Sequence, residues 1–230
     1  MKFCFKFLIF FLCGFFIETN ASLTKEHLGR YLIEVGGINI GNLELIVVLD
    51  EDYYNINIDL KNKGLVSRLY SFEGAYSVSG TIDNNNLIPS KYSQYWKTNK
   101  KERLVKVFFD KNFINKMVLV PKEDEFARVD IVEIKNFVDP LSSFIKILLG
   151  HKISKTIDGR RIYSMVVDYD GENKKKIKIF IDDYVNIWTD HKRKSLKFVE
   201  ITKGHGGNDF VLPKKIKIRL NKASFVLTKI

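Results

Sequence analysis

The 230-residue sequence has only two cysteines, Cys4 and Cys13, and both lie close to its amino terminus. The rest of the chain therefore cannot form a disulfide, a thiolate metal site or a cysteine nucleophile. Only four prolines are present, and no segment resembles a linker, a repeat or a low-complexity tract. With 45% hydrophobic and 28% charged residues, the chain can bury a core. A collagen-like, coiled-coil, cysteine-stapled or disordered protein is thereby excluded.

The first 21 residues are predicted to be a secretory signal peptide. Lys2 and Lys6 supply its positive segment, residues 7–17 form an uncharged apolar run, and Ala21 ends a small-residue cleavage site. A retained transmembrane anchor is the alternative, although the run is short for a bilayer core of about 30 Å. Cleavage would leave residues 22–230 as one exported β-rich domain without a thiol, located in the periplasm or the outer cell envelope.

Beyond the leader, apolar and polar residues alternate with a period of two, which is typical of strands with one buried face. The clearest examples are the segments 54–60, 176–181 and 215–220. Turn-forming residues such as Gly36-Gly37 separate these segments. The spacing predicts roughly ten to twelve short strands. A mainly β protein follows, with a single antiparallel, strongly curved sheet or open barrel.

One segment breaks this alternation and predicts a short helix packed across the sheet. Asp139 is an N-cap carboxylate, Pro140 stands at the first helical position, and Gly150 follows the last apolar turn. We interpret Asp139, and Ser142 in the same motif, as structural, and a catalytic Asp139 is the alternative. The face predicted to pack on the sheet comprises Leu141, Phe144, Ile145 and Leu148.

Several short motifs follow one another along the chain. They are Gly41 in an early strand, Gly64 before a strand pair, LIPSKY at 87–92, DPLS at 139–142, DGRRIY at 158–163 and LPKKI at 212–216. Together they resemble the DUF3108 family of exported bacterial envelope proteins. The resemblance implies an exported β-rich protein and carries no established activity. Many members have cysteines in the carboxy-terminal half. This chain has none there, so a role that depends on a disulfide would not transfer.

The motif at 158–163 contains two candidate ligand-binding arginines. Its Asp158-Gly159 pair is what a tight hairpin turn requires. Arg160 and Arg161 are then expected to point to opposite faces of the following strand. One would be fixed by a carboxylate, and the other would meet solvent or an anionic ligand. The alternative is that either arginine forms a structural pair with one of the aspartates at 168 and 170.

Aromatic residues and one histidine complete the candidate binding site. Tyr92, Trp96 and Tyr163 would suit the wall of an apolar cavity, but they would equally suit an ordinary core. His205 stands in a glycine-rich loop, where flanking glycines would let a ligand approach closely. An ordinary loop histidine is the alternative.

Signatures of catalysis and of cofactor binding are missing from the sequence. It has no nucleophile elbow, P-loop, dinucleotide fingerprint or H-E-x-x-H motif. Its four histidines are scattered, with none at metal-ligand spacing. We therefore predict no cofactor and no metal, and the missing signatures are evidence against an enzyme. A hydrolase of envelope glycan or lipid that uses two converging carboxylates is retained as an alternative.

The formal charge of +11 requires a partner or a solvated basic face. Export and the lack of a recognition helix argue against nucleic acid. Anionic lipid headgroups or an envelope polyanion are the better candidates, and lysines that protect strand edges are the alternative. The sequence thus predicts a non-enzymatic binding module for a lipid or other amphipathic envelope ligand. Lipoprotein-carrier half-barrels offer a fold-level analogy. A structural or assembly partner in the envelope is the second hypothesis.

Overall fold

The computed structural model describes residues 25–62, 71–111, 113–169, 175–188, 196–204 and 210–230. The predicted leader, Gly64 and His205 lie outside these ranges. A short 3-10 helix, Ile131–Glu133, and one α-helix, α1 (Pro140–Leu148), stand between the seventh and eighth strands. The thirteen strands are β1 (Lys25–Val35), β2 (Ile38–Leu49), β3 (Tyr53–Asn62), β4 (Phe72–Asp83), β5 (Asn86–Thr98), β6 (Glu102–Asp110), β7 (Phe113–Val120), β8 (Ile153–Ile157), β9 (Arg161–Tyr169), β10 (Lys176–Asn186), β11 (Leu196–Thr202), β12 (Lys215–Leu220) and β13 (Ser224–Lys229).

All thirteen strands belong to one antiparallel sheet. Its order is β7-β6-β5-β4-β3-β2-β1-β13-β12-β11-β10-β9-β8, so the first and last strands pair near its centre and the sheet is not closed. The mainly β prediction with one helix is confirmed, and the three alternating segments lie in β3, β10 and β12. The strand count slightly exceeds the expected number. No helix in the described ranges is long and apolar enough to cross a membrane.

The sheet wraps around α1, which contacts β4 and β5 on one side and β8 on the other. Because side chains alternate between the faces of a strand, one apolar series per strand points to this inner face. In β3, Tyr54 and Ile56 are buried there, whereas Tyr53 and Asp59 are exposed. The core therefore lies on the inner face, around the helix.

The helix buries more of its surface than the sequence predicted. Leu141 and Ile145 enter the larger core cluster, whereas Ile147 packs with the isoleucines of β10 and β11 in a smaller cluster. Ser142 and Ser143 are also fully buried. The expected single apolar face was too narrow because the sheet surrounds the helix instead of supporting it from one side.

The segment before α1 ties the two edges of the open sheet together. Lys135 forms an isolated antiparallel bridge with Phe113 of β7, and Val138 forms a parallel bridge with Thr156 of β8. The second bridge has two backbone hydrogen bonds of 2.9 and 3.0 Å. Backbone donors and acceptors at both edges are thus partly satisfied without a fourteenth strand.

The β8–β9 turn makes a second connection between the edges. Arg160 Nε donates to Glu123 Oε1 at 2.6 Å, and the two side chains are only 8% and 12% exposed. At Gly159 the φ angle is +85°, and an added Cβ would clash with Cγ1 of Val105 in β6. Trp188 Nε1 donates to the Gly159 carbonyl at 3.0 Å. Glycine is therefore required at this turn for its backbone conformation and for its close approach to β6.

We predict that Glu123→Ala destabilises the fold by about 3–5 kcal/mol, because it leaves the buried Arg160 without its carboxylate partner. Glu125→Ala is the matched control, since Glu125 pairs with Arg128 on the exposed surface of the same segment. It should cost no more than about 1 kcal/mol. Urea unfolding of both variants measures the difference. Equal losses would contradict the role given to the buried pair.

Candidate functional site

A buried polar network holds the amino-terminal end of α1. Asp139 is fully buried, and its Oδ1 accepts hydrogen bonds from the amides of Leu141 and Ser142 at 2.9 and 3.0 Å. The Ser142 hydroxyl donates to Asp139 Oδ2 at 2.5 Å. Its proton is used in that bond, so the Tyr54 hydroxyl, 2.7 Å away, is the donor to Ser142. The predicted N-cap is confirmed, and it extends into the sheet through Tyr54.

Burial governs the protonation of this network. It raises the pKa of Asp139 to about 6, although hydrogen bonds from Ser142 and from the helix amides oppose the shift. Burial also raises the pKa of Tyr54, and the nearby Asp139 charge adds to this effect. Tyr54 therefore stays protonated and keeps its role as a hydrogen-bond donor. Asp139 and its partners are occupied in holding the helix.

The two arginines of the DGRRIY motif are both paired, but with carboxylates other than those expected. Arg160 lies in the turn and pairs with Glu123, as described above. Arg161, the first residue of β9, places Nη1 at 3.2 Å from Asp158 Oδ2. The other carboxylate oxygen, Asp158 Oδ1, accepts from the amides of Arg160 and Arg161. Asp158 thus organises the turn, and its pairing leaves a guanidinium that is about one-third exposed.

Tyr92 and Tyr163 lie on the inner face, close to Asp139 and Asp158, the aspartates of the DPLS and DGRRIY motifs. Tyr92 is 1% exposed, and its hydroxyl donates to Gln94 Oε1 at 3.2 Å. Burial raises the pKa of both tyrosines, and the charges of Asp139 and Asp158 add to the effect. The structure therefore brings these two predicted residues together with the two motif aspartates, inside the sheet.

An apolar groove of about 340 Å³ opens on the inner face at the end of the sheet far from the Tyr54–Ser142 contact. Tyr54 is near the start of β3 and the groove residue Leu60 is near its end. Six residues along a strand span about 20 Å. The apolar lining comes from five adjacent strands, and Lys61 and Asn62 also contribute. The apolar residues are Ile33, Ile40, Gly41, Leu60, Phe72 and Phe225.

Trp96 lies on the same face of the sheet, two strands away from the groove residue Leu60. Strand register places Leu60 opposite Gly74, Gly74 opposite Trp96, and Trp96 opposite Arg103. The Arg103 guanidinium carbon is 5.7 Å from the centroid of the Trp96 ring, which is within the range of a cation–π interaction. In the part of the chain that the structure describes, no carboxylate pairs with Arg103.

The predicted site residues thus separate into two groups, with His205 outside the described residues. Tyr92, Tyr163 and the motif aspartates surround the interior near α1, whereas Trp96 belongs to the groove end. Within the described residues, no group of three His, Cys, Asp or Glu side chains is placed to hold a metal ion. The sequence did not predict that Tyr54 anchors α1. The alternation of apolar and polar residues over 54–60 indicates only that Tyr54 belongs to the core.

A wrapped antiparallel sheet with a helix inside and an apolar groove at the other end defines a barrel-like β protein. The chain belongs to the DUF3108 family, whose description is "Protein of unknown function", and the match covers residues 30–220. The resemblance noted in the sequence is therefore confirmed.

A similar solved structure is the "Crystal Structure of Beta-barrel-like Protein of Domain of Unknown Function DUF1849 from Brucella abortus". Its sequence identity is 10%, its TM-score is 0.46, and the match covers 91% of this chain and 97% of that chain. No curated protein matches this chain significantly. Family membership therefore assigns no activity to it.

We predict that Asp139 lowers the free energy of unfolding by about 3 kcal/mol in total as the pH rises from below its ordinary pKa to above about 6. Its pKa is raised in the folded state, so the folded protein holds this proton more tightly than the unfolded chain does. The stabilisation is complete below the ordinary pKa of the carboxyl and is lost as the pH passes about 6.

Asp139→Asn keeps a capping oxygen and removes the titration, so this fall should be absent in that variant. Urea unfolding between pH 3.5 and 7 measures it. Asp130→Asn changes the exposed cap of the 3-10 helix and controls for the loss of one negative charge. An identical change of slope in both variants would contradict the assignment to Asp139.

Proposed function

We propose that this protein is an exported, non-enzymatic binding module of the cell envelope that takes the acyl chain of an amphipathic ligand into the groove beside Leu60. The observation that carries the proposal is the apolar groove of about 340 Å³. Its volume lies within the usual range of small-molecule sites. Burying a methylene group in such a groove contributes about 0.8 kcal/mol, so several methylenes suffice for measurable affinity.

The position of the groove supports the proposal. The helix fills the interior at one end of the wrapped sheet, where Asp139, Ser142 and Tyr54 join it to β3. At the other end the inner face carries apolar side chains such as Phe72 and Phe225 around open space. An apolar chain can enter there without displacing α1 or breaking the polar network.

The fate of the motif carboxylates favours binding over hydrolysis. Asp139 caps the helix and Asp158 accepts two backbone amides and pairs with Arg161. Both are engaged in structural bonds, and neither lines the groove. An acid/base pair needs two carboxyl groups facing a substrate, and none of the described residues that line the groove carries one.

Leu60→Trp is expected to lower the affinity for a fluorescent fatty-acid probe at least about tenfold, because the larger ring would fill the groove. Tyr53→Trp is the matched control, since Tyr53 begins the same strand, is 46% exposed and lies away from the groove. It should leave the affinity unchanged. Probe titration measures both variants, and circular dichroism confirms their folding. Equal affinities for the wild type and Leu60→Trp would refute the groove as the site.

Export is tested separately from binding. When the full precursor is produced in a Gram-negative host, the protein should be recovered from the periplasm or outer envelope with Ser22 at its amino terminus. The reason is the apolar run at 7–17 and the small-residue site that ends at Ala21. Amino-terminal sequencing of fractionated protein measures this. An intact precursor in the cytosol would contradict the envelope location, and an intact precursor in the inner membrane would indicate an anchor.

A further inference from the structure

We propose that Arg103 and Trp96 form a headgroup subsite that makes the groove selective for single-chain amphiphiles with an anionic headgroup. This inference rests on the proposed binding function, and it adds the charge of the ligand and the residue that recognises it. The observation behind it concerns Arg103. Strand pairing places its side chain on the inner face, in line with Trp96 and the groove residue Leu60. It stacks on Trp96 and has no carboxylate partner among the described residues.

The pairing of Arg103 differs from that of the motif arginines. Arg160 and Arg161 have carboxylate partners at 2.6 and 3.2 Å. Arg103 is half-buried and has the Trp96 ring as its partner. A guanidinium that stacks on an aromatic ring keeps its N–H edges available. These edges suit the two oxygens of a carboxylate or a phosphate.

The register connects this cation to the groove. Gly74 stands between Leu60 and Trp96 across β3, β4 and β5. The rings of Tyr76 and Phe72 cover it, with Cε2 of Tyr76 3.1 Å and Cε1 of Phe72 3.6 Å from where a Cβ would be. With neighbouring strands about 4.8 Å apart, Arg103 lies about 15 Å across the sheet from Leu60. An acyl chain that lies over these two rings can place its headgroup toward Arg103, because Phe72 also lines the groove. Lys61, which also lines the groove, increases the positive charge at the same end.

The test uses Trp96 itself as the reporter. The sequence has two tryptophans, so the Trp188→Phe protein emits from Trp96 alone. Hexadecanoate, a lysophosphatidic acid with the same chain and neutral monopalmitoylglycerol are each titrated below their micelle concentrations. Both anionic ligands should bind about tenfold more tightly than the neutral one, as charge-assisted hydrogen bonds imply.

Arg103→Gln in that background should remove the anionic preference and leave monopalmitoylglycerol affinity unchanged. Arg219→Gln is the matched control, because Arg219 is exposed on β12 and also lacks a carboxylate partner among the described residues. It should preserve the preference. An equal loss in both variants would overturn the subsite in favour of a general charge effect.

The remaining outcomes separate this inference from the proposed function. Tight binding of the neutral ligand with no anionic preference in the parent would overturn the headgroup subsite and leave the acyl groove standing. Binding of none of the three ligands would overturn both. Inorganic phosphate alone should leave Trp96 emission unchanged. A response to phosphate as strong as that to the lysophospholipid would overturn the amphiphile in favour of a simple anion site.

Discussion

The structure depends on the buried hydrogen-bond network that joins α1 to the surrounding sheet through Asp139, Ser142 and Tyr54. A buried carboxylate without partners would be very costly, so Asp139 is tolerated only because the helix amides and the Ser142 hydroxyl satisfy it. Tyr54 continues this network into β3. Its geometry requires the helix to begin at one place and to point in one direction. As a result, α1 packs in one fixed position against the inner face at one end of the open sheet.

An open sheet of thirteen strands leaves two edges that could pair with other chains. In this protein two isolated bridges and one buried ion pair connect the edges to the segment that runs between them. Val138 bridges to β8, Lys135 bridges to β7, and the Arg160–Glu123 pair joins the β8–β9 turn to the segment after β7. The ties follow from the chain path, because the same segment that crosses between the edges also delivers the capping aspartate to α1.

The features that local chemistry determines could be predicted from the sequence. The alternation in β3, the Asp158-Gly159 turn and the Asp139-Pro140 helix start depend on neighbouring residues, and the structure contains all three. The ion pair of Arg160 could not be foreseen, because its partner Glu123 is 37 residues away and several carboxylates were possible. The pairing of Trp96 with Arg103 is an intermediate case. The short connection between β5 and β6 would have allowed their register to be estimated. The sequence could not show that the arginine stacks on the indole ring.

The groove and the polar network are consequences of one asymmetry. Polar groups within a core must be paired, and the fold concentrates them around α1. Ser142 and Ser143 find partners in the surrounding strands, and Asp139 finds its partners in the helix itself. At the opposite end the described residues form no helix, and the inner face there carries apolar side chains around the groove. Such a surface gains free energy when an apolar group covers it. Arg103 lies on the same face, stacked on Trp96 and without a carboxylate partner among the described residues. In the binding mode that we propose, the apolar part of the ligand covers Leu60 and its charged end points toward Arg103.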